Sequence, residues 1–272
     1  MVGRIALGLE YDGRLFCGWQ TQPGGCAVQD ALESALAEVH GAPVATIVAG
    51  RTDAGVHALC QVVHFDAVNH RPESAWLRGV NALLPEGIAV VWARPVASDF
   101  SARFSATERA YRYVLLNDPV RPALLAGRVG WVHAPLDQTA MAEAAAHLLG
   151  EHDFSAFRAA ECQAKSPVRE MRQIQIQRHG ALMVLEFRAN AYLHHQVRNM
   201  VGALVWVGLG RRSPDWVKEV LASRDRSQAA ATFAADGLYL SEVRYGPEWG
   251  LPAPSDRTGW AFGNGAGIMP AS

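Results

Sequence analysis

A chain of 272 residues, half of them apolar and 19% charged, has the composition of an ordinary globular protein, with room for one large or two small domains. Its apolar runs fall well short of the ~18 residues a membrane span needs, and Met1-Val2-Gly3-Arg4 leads into a strand-like pattern, not a signal-peptide hydrophobic region. A net charge of −1 rules out nucleic-acid binding through bulk positive charge, so any such contact must come from local clusters. Of the 25 basic residues only Lys165 and Lys218 are lysines. GC-rich codon usage accounts for most surface arginines, but Arg109 with Arg112 and Arg169 with Arg172 are close enough to form a basic strip suited to phosphate. Cys17, Cys26, Cys60 and Cys162 show neither a C-x-x-C pair nor metal-ligand spacing, which predicts reduced thiols in a cytosolic protein.

Ile5, Leu7, Leu9 and Tyr11 alternate with Ala6, Gly8 and Glu10, the pattern of a half-buried strand. Val28, Leu32, Ala35, Leu36 and Val39 recur at helical spacing, and Gly41 is placed to end that helix. Val44 to Val48 and Gln61 to Phe65 read as strands. Pro72 suits the first turn of a helix with Trp76, Leu77, Val80, Leu83 and Leu84 on its apolar face. Ile88, Val90 and Trp92 begin another strand, completing a β-α-β-β-α-β order of the ferredoxin-like kind.

The second half repeats that order. Tyr111, Tyr113 and Leu115 alternate as a strand. Leu136 to Leu149 is an Ala-rich helix with Asp137 as N-cap and Gly150 as stop. Met171 to Gln177 and Leu182 to Phe187 form a hairpin around His179-Gly180. Val197, Val201, Leu204, Val205 and Leu209 line a long helix, Trp216 to Leu221 a short one, and Tyr239 to Tyr245 a closing strand. The expectation is an α+β protein of two βαββαβ units, residues 1–107 and 108–249, joined in an extended mixed sheet with a central cleft. Residues 250–272 read as a disordered tail.

Between the second and third strands lies Ala49-Gly50-Arg51-Thr52-Asp53-Ala54-Gly55-Val56-His57-Ala58. Its glycines permit a sharp turn that presents Asp53 instead of burying it. Arg51 favours the charged carboxylate, and an ionised, positioned Asp is what nucleophilic catalysis by a carboxylate requires. The plainer alternative is an Asp that caps the next element or bonds its own backbone. The loop is not a P-loop, because no Gly-Lys-Ser/Thr follows its first glycine.

This decapeptide resembles the catalytic motif of the tRNA pseudouridine synthase A family. The resemblance continues through Glu10-Tyr11-Asp12-Gly13 with Gly18-Trp19-Gln20, and Phe104-Ser105-Ala106-Thr107 with Arg109 and Tyr111-Arg112-Tyr113. Further blocks are Asp153-Phe154 with Phe157-Arg158, His194-His195-Gln196-Val197-Arg198-Asn199, and Gly237-Leu238-Tyr239-Leu240. Together they cover Arg4 to Tyr245 in the family's order, which is far more specific than one motif. The resemblance implies an isomerase that converts uridine to pseudouridine in the anticodon stem-loop of tRNA, without cofactor or metal, as a cytoplasmic homodimer.

It also implies roles. Asp53 is the nucleophile, Tyr111 contacts the target base, Arg198 is the basic partner of the carboxylate, and Arg51 occupies the space left by a flipped nucleotide. Leu240 is a further substrate contact, while Arg109, Arg112, Arg158, Arg169 and Arg172 are candidates for the RNA backbone. The chemistry fits these residue types. An ionised Asp can attack the ribose anomeric carbon or C6 of the uracil, or remove a ribose proton. A Tyr ring stacks on a base that has left its helix. Three other readings compete with this one: an RNA-binding module with a silent site, a metal-dependent hydrolase using Asp53, His57 and His64, and a nucleotide-binding protein. His194-His195 is a weak metal motif, because neighbours on a helix point about 100° apart.

Overall fold

The computed structural model describes residues 3–253. Most of the expected tail, residues 254–272, lies outside the described residues. The described chain divides into two compact units, one running to Glu108 and resuming at Tyr239, the other spanning Arg109–Leu238. The fold is mixed α+β, with ten strands among the described residues and both parallel and antiparallel pairing.

In the first unit β1 (Gly3–Tyr11), α1 (Val28–His40), β2 (Ile47–Val48), β3 (His57–Ala67), α2 (Val80–Leu83) and β4 (Ile88–Val96) follow the expected β-α-β-β-α-β order. β1 lies between β4 and β3, antiparallel to both, and β2 pairs with β3. α1 forms where its periodicity places it. Val28, Leu32, Ala35 and Leu36 are buried, the Asp30 carboxylate accepts the Ala27 amide at 3.0 Å, and Gly41 closes the helix at φ 80°. That left-handed position suits glycine, which has no Cβ to clash.

Several expectations shift. β1 is buried on both faces, Ala6 as fully as Leu7, because both of its edges are paired and both faces are covered. Gly8 is needed there, since a Cβ would stand 2.1 Å from the Trp92 indole. The strand expected at Val44 to Val48 shrinks to two residues. The amide and hydroxyl of Thr46 instead donate to Glu33 Oε1 on α1, at 2.7 and 2.8 Å. The helix after Pro72 winds as a π turn over Ala75–Gly79 before α2, so its apolar face is not continuous. Trp76 and Val80 are buried, but Leu83, expected inside, is 51% exposed.

In the second unit β5 (Ala106–Asn117, entering at Arg109), β6 (Gly130–Val132), α3 (Gln138–Ala146), β7 (Gly150–Asp153), β8 (Val168–His179), β9 (Leu182–Ala189), α4 (Gln196–Gly208) and α5 (Asp215–Ser223) succeed one another. β9 lies between β5 and β8, antiparallel to both; β7 pairs with β8, and β6 runs parallel to β5. The expected hairpin is present, its two-residue turn carrying Gly180 at φ 62°. α3 is shorter than Leu136 to Leu149: Asp137 caps it by accepting the Ala140 amide at 3.0 Å, a contact worth about 1 kcal/mol. Gly150 does more than stop a helix; at φ 98° it opens β7. α4 is buried nearly all round, and at Gly202 a Cβ would stand 2.4 Å from the Ala231 carbonyl oxygen.

The last strand, β10 (Leu238–Tyr245), was expected to close the second unit. From Tyr239 onward it belongs to the first, pairing parallel with β3 at Tyr239↔His57 and Leu240↔Ala58. The cysteine expectation also changes: Cys17 and Cys26 form a disulfide, while Cys60 and Cys162 are free. The Cys17 amide donates to the Cys26 carbonyl at 2.9 Å, closing the intervening loop and bringing the two Cα atoms to 5.5 Å. Proximity arising from this loop closure is invisible in the spacing of the residues.

Candidate active site

The segment between β2 and β3 carries Asp53. The Val56 amide donates to the Asp53 carbonyl at 3.1 Å, closing a turn whose third residue, Gly55, sits at φ 81°. A turn with a left-handed third residue calls for glycine. Asp53 itself is half-buried, Arg51 is exposed and Thr52 between them is buried. The loop thus offers its acidic and basic groups to the surface while its threonine points into the protein.

Two neighbouring segments hold this loop. The Trp19 amide donates to the Thr52 carbonyl at 2.9 Å, and a Cβ on Gly18 (φ 96°) would come within 3.0–3.1 Å of backbone atoms of Thr52, Asp53 and Ala54. Only glycine lets the 18–19 backbone approach this closely. From below, Tyr11 Oη lies 2.7 Å from Thr52 Oγ1, and Gln61 Nε2 donates to Gly50 O at 2.7 Å and to Tyr11 Oη at 3.2 Å. Burial pushes the Tyr11 phenol up to about 12, against hydrogen bonds with Thr52 and Gln61 that lower it, so it stays neutral. Gln61 and the role of Thr52 escaped the sequence reading. The available signal was an amide side chain, Gln61, beside the apolar pair Val62-Val63.

Asp12, in a matched block, is also held. Burial raises its carboxyl, but the Arg14 side chain and backbone amide outweigh this, and the carboxyl falls to about 2. The two histidines of the hydrolase reading are occupied otherwise. His57 Nδ1 accepts the Gly13 amide at 3.2 Å and His64 Nδ1 the Ala102 amide at 3.0 Å. Leu240, expected to touch substrate, is fully buried in β10, paired beside Ala58 of β3.

The other expected residues belong to the second unit. Tyr111 lies on β5, 8% exposed, its ring edge-on to Tyr192 with centroids 5.0 Å apart. Arg198, near the start of α4, is clasped in both directions: its Nε donates to Phe233 O at 2.8 Å, and the Phe233 amide donates to Arg198 O at 3.2 Å. The strap carrying Phe233 is tied to the same helix, since Thr232 Oγ1 donates to Asn199 Oδ1 at 2.7 Å and Arg226 bonds both residues at 3.1 Å.

The expected basic strip is uneven. Arg109 is 9% exposed and donates to Asn190 O at 2.9 Å, so burial removes it from an open backbone-binding face. Arg112 pairs with Glu186 at 3.1 Å and Arg172 with Glu170 at 3.0 Å, while Arg169 donates from Nη1 to Ser166 O and Val168 O. Arg158 is half-buried beside Phe157. His194 and His195, expected on a helix, precede it, with His195 at φ 61° capping α4 and the two rings 4.0 Å apart.

Comparison with known proteins adds a family. A model described as tRNA pseudouridine synthase matches residues 9–105 and 144–246. A curated tRNA pseudouridine synthase A of Dechloromonas aromatica is 60% identical over 253 residues, which cover 93% of this chain and 97% of the relative. Those of Thiobacillus denitrificans and Paraburkholderia xenovorans are each 58% identical, over 95% and 92% of this chain and 99% and 93% of the relatives.

Proposed function

The chain belongs to the tRNA pseudouridine synthase family and is an isomerase acting on tRNA, and we propose that Asp53 is the carboxylate that starts the reaction, on a uridine of the anticodon arm. The reaction breaks the bond between ribose C1′ and uracil N1, turns the base, joins C1′ to C5, and releases the C5 proton to solvent while the freed N1 takes up a proton, so that the product is an isomer of uridine. The observation that carries the reading is the Asp53 loop, a turn with its carboxylate half-exposed and its backbone gripped from two sides.

Tyr111 stacks on the flipped uracil through its ring, Arg198 is the basic partner of the carboxylate, and exposed Arg51 fills the space the nucleotide leaves. Extrusion of the base costs a few kcal/mol, which spread phosphate contacts offset. Arg112, Arg158, Arg169 and Arg172 are the backbone contacts in this reading. The enzyme works in the cytoplasm as a homodimer, with neither metal nor cofactor.

The test is tritium release from an unmodified tRNA transcript labelled at uracil C5, with chelator present, comparing wild type with Asp53→Asn. Release by wild type alone is the expected result. Release by neither, with tRNA still bound tightly, would replace this reading with a silent RNA-binding module.

A further inference from the structure

We propose that Gln61, Tyr11 and Thr52 form a hydrogen-bond relay that positions the Asp53 loop for catalysis, an inference that rests on the role given to Asp53 above. The orientation of the Gln61 amide follows from the atoms. Gly50 O can only accept, so the Gln61 atom 2.7 Å from it is the amide nitrogen. The Val62 amide can only donate, so the Gln61 atom it meets at 3.2 Å is the oxygen. The second Nε2 hydrogen faces Tyr11 Oη at 3.2 Å. That oxygen in turn lies 2.7 Å from Thr52 Oγ1, a hydroxyl pair in which either partner can donate. One buried amide thus fixes the loop at Gly50 directly and at Thr52 through the phenol, on either side of Arg51 and immediately before Asp53.

The relay is anchored in rigid parts of the first unit. Tyr11 ends β1 and Gln61 lies within β3, and between Leu9 and Tyr11 the pairing register slips by one residue. A bulge of this kind turns the strand locally and re-aims a side chain. Gln61 has no exposed surface, Tyr11 has 5% and Thr52 7%, so no water competes for these bonds. The Trp19 amide holds the Thr52 carbonyl from the other side. Thr52 therefore has its backbone and its hydroxyl fixed by different elements. These are positioning residues: they act on the reacting carboxylate through the backbone.

The test measures single-turnover tritium release and tRNA affinity for Thr52→Val, Thr52→Ser, Tyr11→Phe and the Tyr11→Phe/Thr52→Val double variant, beside wild type and Asp53→Asn. A misplacement of ~1 Å at a reacting group costs on the order of 100-fold in rate, so Thr52→Val is expected to slow turnover ~10- to 100-fold with tRNA affinity kept within about threefold. Thr52→Ser, which keeps the hydroxyl, is expected to restore the rate to within about threefold of wild type. The double variant is expected to be no slower than the slower single one, because both remove the same bond. A folded Thr52→Val enzyme at the wild-type rate, or a serine variant as slow as the valine one, would overturn the relay. If Thr52→Val fails to fold, Tyr11→Phe decides alone, since it keeps the ring beside Trp19 and loses only the hydroxyl. An inactive wild type or an active Asp53→Asn would bring down the reading of Asp53 and the relay with it. A normal contrast between those two, with the relay variants unchanged, would remove the relay only.

Discussion

The His57 imidazole lies flat on the Tyr239 ring, centroids 4.5 Å apart and planes 16° from parallel. His57 is where the Asp53 loop becomes β3, and Tyr239 pairs with it across the parallel β3–β10 ladder. The Gly13 amide reaches the same imidazole at Nδ1. The stem of the loop is thereby held by segments from both ends of the chain, and this bears on every substitution near Asp53.

Asp53→Asn replaces the carboxylate with a group of nearly the same shape that carries no charge. Fold and tRNA affinity are expected to stay at wild-type levels while pseudouridine formation is lost, because binding is spread over many contacts and the chemistry is not. Activity within ~10-fold of wild type, only ~1.4 kcal/mol of barrier, would remove Asp53 from the mechanism.

Tyr111→Phe keeps a ring against Tyr192 and discards the phenol. Retained tRNA affinity with slower turnover is expected where the hydroxyl bonds the displaced base. Single-turnover rates decide this, and an unchanged rate confines Tyr111 to stacking.

His64 gives a pH dependence. Burial, with Arg4 nearby, lowers its pKa from 6.5 to about 4. The unfolded chain therefore takes up a proton on this residue at a higher pH than the folded one. Its contribution to stability is complete above about pH 6.5 and is lost as pH falls toward about 4, by about 3 kcal/mol in all. Protonating Nδ1 would also displace the Ala102 amide. Urea unfolding across this range, beside His64→Gln, is expected to show a steeper acid loss in wild type.

Gly18→Ala places a methyl group about 3.0 Å from the Thr52 carbonyl and the Ala54 amide, at φ 96°. Backbone atoms cannot swing aside as a long side chain can. A destabilisation of about 1–3 kcal/mol is expected, together with reduced turnover as the Asp53 turn shifts. Alanine tolerated in both unfolding and rate would show that the approach of the two backbones is not needed.

Cys17→Ser/Cys26→Ser removes a cross-link between residues nine apart. Loop-closure entropy puts its contribution at about 2–3 kcal/mol. The oxidised native protein is expected to show two titratable thiols on unfolding without reductant, from Cys60 and Cys162, and four with it. Four without reductant would mean that the bond does not form.

Patterns carried by neighbouring residues were legible in the chain alone. The spacing of Val28, Leu32 and Leu36 specified α1, Asp137 specified a helix start, and the paired glycines around Arg51-Thr52-Asp53 marked a turn with a half-exposed carboxylate. Helical periodicity, capping and turn preference act over a few residues, so they survive without tertiary context. Tertiary structure decided what depends on partners far along the chain. It buried both faces of β1, shortened β2 by drawing Thr46 to Glu33, took β10 into the first unit, joined Cys17 to Cys26 and buried Arg109. It also placed Gln61 and Tyr11 beneath Thr52. A buried polar side chain takes its meaning from the atom that satisfies it, and that atom is set by packing, not by sequence distance.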